Sequence, residues 1–325
     1  MMKKWIGGIF VLIVFALMGP RVEVNTAVPP VNLPDDIDQW LQNTESQIPL
    51  LRRGADKKIV WLDPVKKNKT PFSVVYLHGF SANRQEIVPV MDEVASKLSA
   101  NLFYTRLTGH GQYAEAMKHV TVNDWLRDVE EALAIGNRIG DRVILAGVST
   151  GAALATWAAL QHAQDHDIAA LVLISPNFWP AAPGAGIILW PWGPVINRLV
   201  SGPYRVWDPI NEAQAQNWTY AQHTNISQTV MGFVGLLKAQ DFTKIQQPVL
   251  LIHSDFDQVV SVDTILKRYE QIGSAYKKRM TINNSGDRWH HVLAGNILSP
   301  QTNQITIDMI LEFLQPLRQT ENSTQ

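Results

Sequence analysis

Five residues, Gly147-Val148-Ser149-Thr150-Gly151, carry the clearest chemical promise in this chain. A serine hydroxyl is a poor nucleophile at neutral pH. It needs a base to take its proton, and that base needs an acid to orient it. A bare G-x-S-x-G arises easily wherever small residues cluster, so its surroundings decide. Residues 143–146 are a short apolar run with β-branched character, the pattern of a buried strand. Residues 152–161 are alanine-rich, with good helix propensity. The motif thus lies between a strand and a helix. So sharp a turn strains the backbone at Ser149 and needs glycine on either side for room. It holds the hydroxyl out at the carboxyl edge of a sheet, with a helix N-terminus behind it. A tight turn with an incidental serine is the competing reading, and this setting disfavours it.

A serine on such an elbow expects its partners later in the chain, acid first and histidine second, each just past the carboxyl end of a strand. Two segments fit: His253-Ser-Asp-Phe-Asp-Gln-Val-Val260 and Asn283-Asn-Ser-Gly-Asp-Arg-Trp-His-His-Val-Leu293. The first offers Asp255 and Asp257, the second His290 and His291. The other histidines, at 119, 162, 166 and 223, are scattered and expected on surfaces, with no zinc-ligand spacing among them.

The elements that must position these groups follow from periodicity. Strand patterns are expected at 57–62, 73–77, 101–107, 168–174, 248–253 and 278–282. Helices are expected at 87–98, 121–139, 262–272 and 304–317, with one short helix near 33–43. Strand and helix alternate from residue 73 onward, which implies an α/β fold: a mostly parallel central sheet covered by helices on both faces. Residues 176–241 break the rhythm. They hold Trp179, Trp190, Trp192, Trp207 and Trp218 among seven prolines and show no clean strand period, so they read as an inserted cap over the sheet's carboxyl edge.

Met1-Met-Lys-Lys4 is basic, and residues 5–20 are free of charge. That shape suits residues 1–27 as a signal peptide or an N-terminal membrane anchor, although the apolar run is short beside the ~20 residues of a spanning helix. Residues 28–56 read as a proline-rich linker, and 57–320 as the folded domain. An exported or inner-membrane-anchored protein is expected, with the domain outside the cytoplasm, in a bacterial periplasm. The 325-residue chain is 46% hydrophobic, enough for one large domain and its core. A net charge of −1 leaves no electrostatic footprint for nucleic acid. The absence of cysteine removes disulfides, thiol catalysis and cysteine-ligated metals.

Four further segments resemble one family. Leu77-His-Gly-Phe80, Thr108-Gly-His-Gly111, Thr121-Val-Asn-Asp-Trp-Leu-Arg-Asp-Val129 and Asp257-Gln-Val-Val260 are similar to the oxyanion loop, G-H-G turn, D-W helix and acid loop of the serine α/β-hydrolases. The likeness is to the monoacylglycerol-lipase-like and bacterial carboxylesterase branch, the serine aminopeptidase S33 type, and covers roughly 57–317. The resemblance implies Ser149 as nucleophile. It implies Asp257 as acid, because the Val-Val pair follows it, with Asp255 the rival. It implies His291 as base, because an apolar pair follows it, with His290 the rival. Backbone amides of Phe80 and Thr150 would form the oxyanion hole, and His78 and His110 would shape loops. No cofactor or metal is implied.

The reaction expected is acyl transfer to water through an acyl-enzyme, on a small and apolar ester such as a monoacylglycerol. The alternatives are a thioesterase, a small-peptide aminopeptidase, or a binding module without turnover. An aminopeptidase would want acidic residues in the cap, where only Asp208, Glu212 and Asp241 stand. The cap tryptophans suit an apolar substrate, and suit equally the packing of cap onto body.

Overall fold

The computed structural model of the chain describes residues 15, 17–163 and 167–322. Its centre is a seven-stranded sheet. In chain order the strands are β1 (Lys58–Val60), β2 (Thr70–Leu77), β3 (Asn101–Tyr104), β4 (Gly140–Val148), β5 (Ile168–Ile174), β8 (Val249–His253) and β9 (Lys277–Thr281). Across the sheet they run β1-β3-β2-β4-β5-β8-β9. Only β1 is antiparallel to its neighbour. The parallel register puts the carboxyl ends of β2, β4, β5 and β8 on one edge.

A strand's side chains alternate between its faces, so a sheet covered on both sides needs two cores. Val75 and Leu77 of β2 enter one core, Val74 and Tyr76 the other. The first core is closed by α3 (Val122–Ile139), α4 (Thr150–Gln161) and α8 (Val262–Gln271). The second is closed by α2 (Val90–Leu98) and α9 (Asn303–Asn322). Helix α3 starts where its sequence says. The Thr121 hydroxyl accepts from the Asp124 amide while the Asp124 carboxylate accepts from the Thr121 amide, a capping box.

The stretch expected as a linker carries helix α1 (Ile37–Ser46) and is fastened to the body. Ile37 and Leu41 are buried, and Glu45 takes a two-pronged hydrogen bond from Arg106, at 2.7 and 2.8 Å. Farther on, Arg52 Nη1 donates to the carbonyls of Ala215, Gln216 and Trp218 in the cap.

The cap holds more regular structure than its sequence pattern shows. It contains α5 (Gly193–Ser201), α6 (Glu212–Asn217), α7 (Ile226–Lys238) and a two-stranded antiparallel ribbon of β6 (Tyr204–Val206) with β7 (Ala221–His223). Three-residue strands are too short to display a period. Helix α7 lies against α3 and α4, and its apolar residues run round most of its circumference, which blurs the helical repeat. His223, expected on the surface, is buried with its ring edge-on to Tyr204. His166 and most of the apolar N-terminal stretch lie outside the described residues. Among the described residues, no helix is long and apolar enough to cross a membrane.

Candidate active site

Ser149 is the single residue between β4 and α4, with φ 53° and ψ −116°. A non-glycine residue in that region costs of order 1–3 kcal/mol, and its surroundings must hold it there. They do so through the backbone. The Ser149 amide donates to the Ile174 carbonyl at 2.9 Å, and its carbonyl accepts from Ala153 and Asn177, both at 3.0 Å. The flanking glycines are dictated by close approach. A Cβ on Gly151 would sit 2.0 Å from the Leu77 carbonyl oxygen, and one on Gly147 2.5 Å from the Gly151 carbonyl carbon. The five-residue motif is therefore a description of this elbow's steric limits.

The loops after β8 and β9 bring Asp257 and His291 together, with Asp257 Oδ2 2.8 Å from His291 Nδ1. The other oxygen of Asp257 accepts from the amides of Val259 and Val260, at 2.8 and 3.0 Å. Both side chains are nearly closed to solvent. The rival Asp255 turns instead to Asn283, whose side-chain amide donates to it at 2.9 Å. The rival His290 sits at positive φ, its ring near Phe256. Of the four candidates, the structure pairs Asp257 with His291.

That pair lies at the same sheet edge as Ser149. Ser175 follows β5 directly. Its hydroxyl donates to the His291 carbonyl at 2.8 Å, while Ile174 just before it and Asn177 two residues after it bond the backbone of Ser149. Burial alone would lower the imidazole's pKa. The charge and hydrogen bond of Asp257, with Asp287 and Glu86 farther off, outweigh burial and hold His291 above the usual histidine value.

Two residues at this edge escaped the sequence reading. Asp287 accepts the amides of His291 and Val292, both at 3.0 Å, and so shapes the turn that presents the histidine. An aspartate a few residues ahead of a candidate histidine in a polar loop is a legible signal for such capping. Glu86 is the second. It lies in a short 3-10 turn, is 2% exposed, and accepts from the Tyr76 hydroxyl at 2.8 Å and from the Gly79 amide. Burial raises its pKa to about 7. Nothing in its own segment distinguishes this glutamate from one facing solvent; the groups that hold it, Tyr76 and Gly79, belong to β2 and the loop after it.

Phe80 and Thr150, expected to supply oxyanion amides, stand at the carboxyl end of β2 and the first turn of α4. Among the described residues, neither amide donates a hydrogen bond. A Cβ on Gly79, beside Phe80, would lie 3.5 Å from the Ser149 Cβ, so the two loops adjoin. His78 braces this loop. Its Nδ1–H donates to the Gly79 carbonyl at 2.8 Å, and its Nε2 accepts from the Leu107 amide at 3.0 Å. Those two bonds require the neutral ring, and burial lowers its pKa to about 4. His110 packs against His78 and Phe80.

Trp218 and Trp207 of the cap pack with Ala82 of the loop after β2 and with Val292, next to His291. Trp179 lines a cavity of about 500 Å³ that reaches Asp257 and is otherwise bounded by residues 180–186 and 260–263. A depression of about 680 Å³ among Asp35, Trp61, Lys67 and Arg138 lies at the amino-terminal edge of the sheet, remote from this chemistry.

Residues 69–294 match the family model described as serine aminopeptidase, S33. No curated protein matches. Among solved structures, a lipolytic enzyme from the metagenome-derived pair LipS and LipT superimposes with a TM-score of 0.65 at 20% identity, over 82% of this chain and 99% of that one. A soluble variant of the Saccharomyces cerevisiae monoglyceride lipase gives 0.60 at 16% identity, over 92% and 98%. The Paleococcus ferrophilus monoacylglycerol lipase gives 0.57 at 12%, over 79% and 98%. At these identities the structural likeness shows the fold.

Proposed function

The chain belongs to the serine aminopeptidase S33 family of the α/β-hydrolase superfamily, and on that premise we propose that it is a serine hydrolase cleaving carboxylic esters through an acyl-enzyme. The observation that carries this reading is the strained Ser149 at the same sheet edge as a buried Asp257–His291 pair. His291, oriented by Asp257, takes the Ser149 proton as Oγ attacks the ester carbonyl. The Phe80 and Thr150 amides hold the oxyanion. The alcohol leaves with the proton from His291, and a water activated by the same imidazole releases the acid. Losing one oxyanion donor costs ~10²–10³ in rate, so the loop held by His78 and Glu86 matters nearly as much as the three side chains.

The substrate class proposed is an apolar ester of the monoacylglycerol kind. Its support is the apolar character of the cap and the tryptophans that flank the His291 loop. The family's description makes an aminoacyl substrate the second reading. A substrate amine would need a carboxylate cluster near Ser149. Asp208, Glu212 and Asp241 are exposed on the cap, and Asp241 caps a 3-10 turn. Export or anchoring through residues 1–27 is proposed from their sequence, and cell fractionation tests it.

A fluorophosphonate probe should label Ser149 and no other serine; labelling elsewhere removes the nucleophile assignment. A panel of p-nitrophenyl esters, thioesters and aminoacyl amides then ranks the substrates. Dominant aminoacyl cleavage overturns the ester reading.

A further inference from the structure

Helix α5 of the cap is built inside out. At 100° per residue Val195, Ile196, Leu199 and Val200 share one arc of roughly 140°. That arc faces solvent, with Leu199 80% and Val200 81% exposed. The polar residues Asn197 and Ser201 are the half-buried ones, bonded to each other at 3.4 Å. A surface helix of a soluble domain turns its apolar arc inward.

The apolar surface continues beyond the helix. Trp190, just before it, and Val206, just after it, are more than half exposed. A second, sequence-distant segment joins it. The Trp192 amide donates to the Pro20 carbonyl at 2.9 Å, its indole N–H donates to the Phe15 carbonyl at 3.1 Å, and the Phe15 ring packs on it at 4.9 Å. Phe15, Leu17 and Met18 are themselves exposed. Two uncovered apolar segments therefore meet at the start of α5, more than the scattered hydrophobics a soluble surface normally carries.

The chain that leads into Phe15 identifies what covers this face. Residues 5–14 are uncharged and mostly apolar and follow Lys3 and Lys4. A second copy or a peptide seated on α5 would still leave that approach in water, whereas a bilayer takes both. Arg198 is an exposed cation on α5 itself, a charge suited to anionic headgroups. We propose that this face of the cap docks on a phospholipid bilayer, with α5 lying in the interfacial plane beside the N-terminal segment. The 500 Å³ cavity is lined by Ala185 and Gly186, the first residues of the 3-10 turn Ala185–Leu189 that precedes α5 in the chain. The docking stands independently of the ester reading. Its consequence, an ester drawn from the membrane, rests on that reading.

The chain has no cysteine, so one introduced thiol reports unambiguously. Full-length Leu199→Cys, labelled with a polarity-sensitive nitrobenzoxadiazole, should brighten several-fold on adding phosphatidylcholine–phosphatidylglycerol vesicles. The same label on Val65→Cys, 89% exposed near the sheet's other edge, should not respond. Ile196→Glu with Val200→Glu in the labelled Leu199→Cys chain should shift the midpoint of the vesicle titration roughly 100-fold, since two buried aliphatic contacts are lost. A Leu199 label that stays dark while the protein floats with vesicles overturns the proposal, because the N-terminus then anchors alone. An unshifted midpoint in the double variant overturns it too. So does self-association that the double variant abolishes without any lipid response, which assigns the face to a second copy. A responding label on a protein inactive toward every ester leaves docking intact and removes the hydrolase reading instead.

Discussion

Glu86 and Gly79 are joined by a buried hydrogen bond, the Gly79 amide donating to the carboxyl that also meets the Tyr76 hydroxyl. Gly79 precedes Phe80, so this carboxyl orients the peptide proposed to hold the oxyanion. It also adds negative charge within reach of His291.

The Glu86 pair has a signature in pH. Burial lifts its pKa from 4.5 to about 7, so the folded state holds a proton the unfolded chain has already lost. The stability it contributes is present below about pH 4.5 and lost as pH rises through 7. Glu86→Gln should flatten the fall of Tm across that window in thermal scans. It should also lower kcat more than KM, because the oxyanion loop loses its carboxylate anchor. An unaltered Tm slope would show that Glu86 is ionised throughout.

Asp257 and Asp255 should separate cleanly. Asp257 is bonded to His291 and closed to solvent, while Asp255 bonds Asn283 at the surface. Asp257→Asn should cut kcat ~10⁴-fold, and Asp255→Asn should leave it within a small factor. Steady-state kinetics on one ester checks both, and the opposite ranking reassigns the acid.

As the proposed base, His291 must be neutral to act, and its environment favours the charged form. The acid limb of kcat/KM should therefore rise with pH through a midpoint above the usual histidine value of 6.5. Asp257→Asn removes the foremost group that raises it, so the residual activity should titrate at lower pH. For stability the sign is opposite to that for activity: the charged His291–Asp257 pair helps most below pH 6.5 and fades as pH climbs through the raised pKa.

The elbow tolerates no side chain at Gly151, where a Cβ would meet the Leu77 carbonyl at 2.0 Å. Gly151→Ala should cost about 3 kcal/mol or more in denaturant unfolding, because backbone must shift. The neighbouring Ala152→Gly should cost only ~1 kcal/mol, an ordinary helix-propensity loss. Equal losses would mean the turn has slack.

The middle of the sheet was legible because β4, β5 and β8 are continuous apolar runs, and α3 and α8 because they carry strong helical periods. Residues 168–174 were expected as a strand and form β5 with those bounds. Helix α3 was expected over 121–139 from its apolar period and forms over Val122–Ile139. The cap was legible as an interruption and not as a structure. Helix α7 lacks a clear polar face, and β6 and β7 have three residues each. Ser149 was visible because an elbow imposes local steric limits on five consecutive residues.

Local constraints leave their mark in sequence, so the strand–elbow–helix, the alternation of elements and the position of the cap could be read from residue types and spacing alone. Partnership between distant residues is settled by packing. The family resemblance singled out Asp257 and His291, but the 2.8 Å contact between them, the burial of Glu86 against Gly79 and the outward apolar arc of α5 are consequences of which surfaces the folded sheet brings within a few ångströms. No spacing along the chain encodes those distances, because they depend on how β2, β4, β5 and β8 align their carboxyl ends.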